Sequence, residues 1–178
     1  MGVDSLLFPQ VTPRIFVGQG DFHFYVPRTG SLPPKLHTLL GSCVSIVLWH
    51  PERCVGGMCH CILPKGFGPR SENSTDARYC DGAVALFLRE VIRSGTMPQQ
   101  YHAYLVGGGR MYSIPGRADE ISVGQRNVES ARIHLKKAGF LLRAEDVEQE
   151  GHRKVELDLQ TGAVTVAFGN RKRLLSSP

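Results

Sequence analysis

The stretch Val44-Ser45-Ile46-Val47-Leu48-Trp49-His50-Pro51-Glu52-Arg53-Cys54-Val55-Gly56-Gly57-Met58-Cys59-His60-Cys61-Ile62-Leu63-Pro64 decides the fold. Val44 to Trp49 is a short, nearly continuous apolar run, the pattern of a strand buried on both faces. Pro51 and the charged pair after it end that strand. Val55 to Leu63 reads as a second strand, opened by Gly56-Gly57 and closed by Pro64. The connection between them is short, so the two are expected to pair as antiparallel neighbours.

Outward from this hairpin, Ile15-Phe16-Val17 opens the first ordered segment, and Asp21 to Val26 alternates with an aromatic bias, as a strand does. Pro27 to Pro34 is turn-rich, and residues 65–76 form a loop rich in Gly, Pro and Ser beside the hairpin. Val84, Phe87, Leu88, Val91 and Ile92 share one face of a helix, with Gly95 at its C-terminal end. Tyr101 to Val106 reads as a strand leading into Gly107-Gly108-Gly109. A second helix over 125–138 puts Val128, Ala131 and Leu135 on one side and stops at Gly139. Lys154–Leu159 and Ala163–Phe168 alternate around Gln160-Thr161-Gly162, a hairpin with one buried face. The fold class is therefore α/β: a single-domain layered sandwich over 1–178, with a mixed, mostly antiparallel sheet and two main helices. The ordered core spans about 15–168, and residues 1–12 and 170–178 are peripheral, flexible ends.

The 178-residue chain is 42% hydrophobic and 21% charged, ordinary for a soluble globular protein, and no apolar run reaches membrane-spanning length. The start lacks the basic and apolar regions of a secretory signal, and Leu6 breaks a myristoylation motif after Met1-Gly2. A cytoplasmic protein without membrane insertion is expected. Five clustered cysteines fit reduced thiols better than a disulfide framework. The net charge of +5 is modest and concentrated in Arg171-Lys172-Arg173, a solvated end on this pattern. Without aromatic–basic interleaving, a nucleic-acid partner is not expected.

Chemistry concentrates at Cys43 and His60. Cys43 sits where a loop, Thr38 to Ser42, enters the first buried strand, and Gly41 lets that backbone bend tightly. A thiol needs a base to become a nucleophile at neutral pH, and His60 lies in the neighbouring strand. Spacing alone leaves three readings open: buried thiol, nucleophile and metal ligand. For a metal, Cys54, Cys59, Cys61 and His60 are close in sequence, yet Cys59 and Cys61 point to one strand face and His60 to the other, which disfavours zinc.

Leu40-Gly41-Ser42-Cys43-Val44, followed by Gly56-Gly57-Met58-Cys59-His60-Cys61-Ile62-Leu63-Pro64, resembles the signature of CheD, the chemoreceptor glutamine deamidases. Leu105 to Met111 is similar to that family's glycine-rich segment, Val123 to Val128 to its helix-opening motif, and Arg153 to Gly162 to its closing hairpin. Gly107-Gly108-Gly109-Arg110 departs from the family's glycine–alanine–asparagine form, and Glu148-Gln149-Glu150 stands where many relatives carry glycines. The resemblance implies a sandwich similar to the catalytic domain of the cytotoxic necrotising factors. It implies hydrolysis of glutamine side chains on the cytoplasmic helices of methyl-accepting chemotaxis receptors, through a Cys43 thioester with His60 as base and no metal or organic cofactor. It also implies a CheC-type phosphatase as a second partner, with an adaptor lacking chemistry as the alternative function. Thr38 is the favoured residue to orient His60, and His37 is the alternative.

Overall fold

The computed structural model describes residues 11–66, 75–110 and 121–176. Two five-stranded sheets and two helices stack as three layers. The first sheet has the order β1 (Arg14–Phe16), β3 (Lys35–Leu40), β8 (Arg153–Asp158), β9 (Val164–Phe168), β10 (Arg171–Leu174). The second has the order β2 (Phe22–Tyr25), β5 (Val55–Cys59), β4 (Val44–His50), β6 (His102–Gly107), β7 (Leu141–Val147). Each sheet contains one parallel pair, β1 with β3 and β6 with β7; the other pairs are antiparallel.

The second sheet is the middle layer, and β4 is its centre. Every β4 residue is buried. Val44, Ile46 and Leu48 pack with α1 (Cys80–Arg93) and α2 (Val123–Ala138), through Phe87, Val91, Val128 and Leu135. Val47 and Trp49 face the first sheet, against Leu36, Leu40, Val155, Leu157 and Val164. Two buried faces explain why β4 shows no polar alternation. Both helices keep one apolar stripe inward, and α2 is defined by Ser122, whose side chain accepts from the Gln125 N–H, and by Gly139 in the left-handed region.

The β4–β5 hairpin, the two helices and the β8–β9 hairpin lie where the sequence puts them. Four expectations are corrected. There are two sheets, not one, because β3 pairs with β8 across a long sequence separation. Thr38 to Leu40 is not loop but the end of β3. Arg171-Lys172-Arg173 is not a loose tail: β10 hydrogen-bonds to β9, and Arg173 is tied to Asp146 at 2.7 Å. Ile92 is 64% exposed, so α1's buried stripe ends at Val91. The N-terminal ten residues, residues 67–74 of the loop beside the hairpin, and Met111 lie outside the described residues.

Asp146 holds the two sheets together at one end. From β7 it accepts from Arg153 Nε of β8 at 2.8 Å and from Arg173 of β10, and Arg153 is fully buried. Removing one partner of a buried pair strands the other charge, at a cost of about 3–5 kcal/mol. Asp146→Ala should therefore lower the urea unfolding midpoint markedly; an unchanged midpoint contradicts this role.

Candidate active site

β5 formally ends at Cys59, but its backbone continues in register. Val44 and Cys61 exchange both hydrogen bonds, at 3.0 and 2.8 Å. This extends the Val47–Met58 pairing, so Ser45 stands opposite His60, and Cys43 lies two positions along the same face. Such diagonal neighbours are about 7–8 Å apart at the backbone, a span that a ring or a long side chain can reach across. The face is the one toward the first sheet: Cys43 packs in the inter-sheet cluster with Val47 and Met58. Cys59 and Cys61 point the other way, into the helix-side core with Cys80. Their sulfurs are 3.6 Å apart. Hydrogen bonds with Cys59 and Cys80, then burial, hold the Cys61 thiol well above its ordinary pKa.

His60 is fixed from three sides. Its N–H donates to Asp21 O at 3.0 Å, and its carbonyl accepts from the Gly20 N–H at 2.9 Å. Its ring meets Thr38 from the opposing sheet, with Nδ1 2.8 Å from Oγ1. The same Thr38 hydroxyl donates to Val17 O at 2.6 Å. A hydroxyl has one proton, and a carbonyl can only accept, so Thr38 must accept from Nδ1–H. That assigns the neutral ring to the Nδ1–H tautomer and leaves Nε2 with its lone pair. Nε2 is buried and has no hydrogen-bond partner among the described residues. His37, the neighbour of Thr38, faces the opposite side of β3, where its ring packs edge-on against Phe16. There it lines a cavity of about 680 Å³ with Leu39, Lys154 and Glu156, on the solvent side of the first sheet.

Cys43 is 9% and His60 3% exposed. Burial, with the nearby Cys80 thiol adding to it, raises the Cys43 thiol above its ordinary value. Burial lowers His60, against opposing contributions from Val17 O and the Asp21 carboxylate. Both shifts favour the neutral forms, thiol for Cys43 and imidazole for His60. Among the described residues no group of three or more His, Cys, Asp or Glu side chains is placed to hold a metal ion.

The Gly41-Ser42-Cys43 turn is held by all three of its carbonyls. Gly41 O accepts from the Gly109 N–H at 2.8 Å, and Cys43 O from the Gly108 N–H at 2.8 Å. Ser42 O accepts from Asn127 Nδ2 of α2 at 3.1 Å. Gly108 has φ +66°, and a side chain on Gly124 would strike the Gly108 carbonyl, so α2 approaches the turn only because both are glycine. The N–H groups of Ser42 and Cys43 donate to no acceptor among the described residues. Asn127 lies in the helix-opening segment Val123 to Val128 but carries no titratable group, and its part in this arrangement was not legible from the residues alone.

A family model, described as CheD chemotactic sensory transduction, matches residues 62–168. A protein of Chromobacterium violaceum called probable chemoreceptor glutamine deamidase CheD 1 is 38% identical over 164 residues, 92% of this chain and 82% of its own. A Dechloromonas aromatica protein called probable chemoreceptor glutamine deamidase CheD 3 is 38% identical over 90% of each chain. The chain belongs to the CheD family. The family model begins two residues after His60, whereas the pairwise matches cover nearly the whole chain. Among solved structures, Bacillus licheniformis hypothetical protein YfiH overlaps 65% of this chain and 47% of its own at 16% identity, with a TM-score of 0.41. No helix among the described residues is long and apolar enough to cross a membrane.

The lowered His60 pKa has a measurable sign. Below the ordinary value of 6.5 the unfolded chain takes up a proton that folded His60 resists, so this group's contribution to stability is lost as pH falls through that window. An NMR titration should place the His60 midpoint below 6.5; a midpoint above it contradicts the burial.

Proposed function

We propose that this CheD-family chain is a cytoplasmic protein-glutamine deamidase, converting glutamine side chains on the cytoplasmic helices of chemoreceptors to glutamate. The observation that carries the proposal is the Thr38–His60 hydrogen bond, which leaves a bare Nε2 on the face shared with Cys43. The names of the relatives supply the substrate class.

His60 Nε2 takes the proton of Cys43 as the sulfur attacks the carboxamide carbon of the bound glutamine. Starting from neutral partners, the thiolate forms only as the proton moves, so the thiol is not a free nucleophile between turnovers. The carbonyl oxygen becomes an oxyanion, and the unengaged N–H groups of Ser42 and Cys43 are suited to receive it. The C–N bond then breaks, with the His60 proton leaving on ammonia and a thioester remaining on Cys43. Water, deprotonated by the same nitrogen, adds to the thioester and releases glutamate and the free thiol. Thr38 keeps Nδ1–H engaged throughout and stabilises the imidazolium between the steps. The likeness to the cytotoxic necrotising factor catalytic domain and a CheC-type phosphatase partner belong to the same proposal, and no cofactor takes part.

The test is incubation with a receptor's cytoplasmic helices followed by peptide mass spectrometry. The wild type should convert specific glutamines to glutamates. Cys43→Ala should abolish conversion, and His60→Ala should slow it by roughly 10²–10⁴-fold. Full activity in both variants would overturn the assignment of the site.

A further inference from the structure

Asn127 is an odd residue for a helix to bury. It is 0% exposed, and its Nδ2 donates to two carbonyls from separate segments: Ser42, just before Cys43, and Ile62, two residues after His60. With both amide protons used this way, Oδ1 is left buried without a partner among the described residues. A buried amide oxygen left unpaired carries a cost and calls for an explanation. Its main-chain carbonyl meanwhile faces the Cys80 thiol at 3.5 Å, so α2 is fastened to the start of α1 at this point.

The geometry of the peptide group gives the bond to Ser42 its meaning. The Ser42 carbonyl and the Cys43 N–H belong to one planar trans unit and point in opposite directions. Holding the carbonyl against α2 turns the Cys43 N–H away from the helix. The Gly109 N–H, bound to Gly41 O, holds the preceding peptide, which carries the Ser42 N–H. Val44 N–H, the next along, is consumed by Cys61 O. Two adjacent amides, each with its own peptide carbonyl held, are thus left beside the sulfur without an acceptor among the described residues.

We infer that Asn127 is a positioning residue for oxyanion stabilisation: its side-chain amide orients the Ser42–Cys43 peptide so that the Cys43 N–H donates to the oxyanion formed at the sulfur. It touches neither sulfur nor substrate and acts through the peptide it holds. The inference rests on the reading of Cys43 as nucleophile and His60 as base, and adds the residue that positions the oxyanion donor.

Two reagents that use the same thiol separate the role from a general structural one. p-Nitrophenyl acetate acylates Cys43: the S–C bond forms through a tetrahedral oxyanion, the C–O bond breaks, nitrophenolate leaves, and the thiol proton passes to His60. Iodoacetamide alkylates the same sulfur by displacing iodide from a saturated carbon, with no oxyanion. Peptide mapping reports each product at Cys43, and Cys43→Ala supplies the background. In Asn127→Ala, acylation should fall roughly 10²-fold, the usual loss for one oxyanion donor, while alkylation stays within about threefold. Asn127→Asp, which keeps the volume but turns an acceptor toward both carbonyls, should show the same selective loss. The inference is overturned if acylation is unchanged, if both reactions fall together, or if both variants lose the native near-UV circular dichroism spectrum. A wild type whose Cys43 accepts no acetyl group would defeat the nucleophile reading itself; equal acylation by wild type and variants would defeat the Asn127 role alone.

Discussion

The burial of β4 on both faces is the constraint from which the rest of the structure follows. A strand in the middle layer presents one set of side chains to the helices and the alternate set to the opposing sheet. The period of two therefore sorts the cysteines and His60 without further machinery. Cys59 and Cys61 go to the helix side with Cys80, as small buried thiols. Cys43 and His60 go to the inter-sheet side, where the first sheet brings Thr38 against the imidazole. Neither sheet alone could assemble the three.

The same layering sets the electrostatics. Thr38, His60 and most of Cys43 are shut between sheets, so each titratable partner is pushed toward its neutral form. In such surroundings proton position is governed by hydrogen-bond direction more than by charge. One hydroxyl, committed as donor to Val17 O, is enough to choose the imidazole tautomer. Behind the site, Gly108, Gly109 and Asn127 fix the turn that bears the sulfur, so its orientation comes from backbone hydrogen bonds rather than from packing of the thiol itself.

The legible parts of the sequence were those governed by local period and by punctuation. The apolar run from Val44 and the break at Pro51 marked the central hairpin, and the separation of His60 from Cys59 and Cys61 onto opposite faces followed from strand alternation. Both helices carried a 3.6-residue stripe. What depends on distant partners was hidden. β3 reads as a loop because its inward residues, Leu36, Thr38 and Leu40, gain their apolar surroundings only when β8 and the second sheet arrive. β7 carries Arg143, Glu145 and Asp146, and β10 is three-quarters basic; both are edge strands, where charge is tolerated and alternation is weak. Asn127 lay in a helix-opening segment like that of the family, but nothing local to it indicated the two carbonyls it would meet.

The proposed chemistry depends most on the protonation of one ring. Nitrogen-15 chemical shifts of His60 at neutral pH, assigned by comparison with His60→Gln, report which nitrogen carries the proton. The structure predicts a protonated Nδ1 held by Thr38 and a bare Nε2 with the shift of an unprotonated ring nitrogen. A proton resident on Nε2, with Nδ1 bare, would contradict it, because the base would then have no lone pair to offer Cys43.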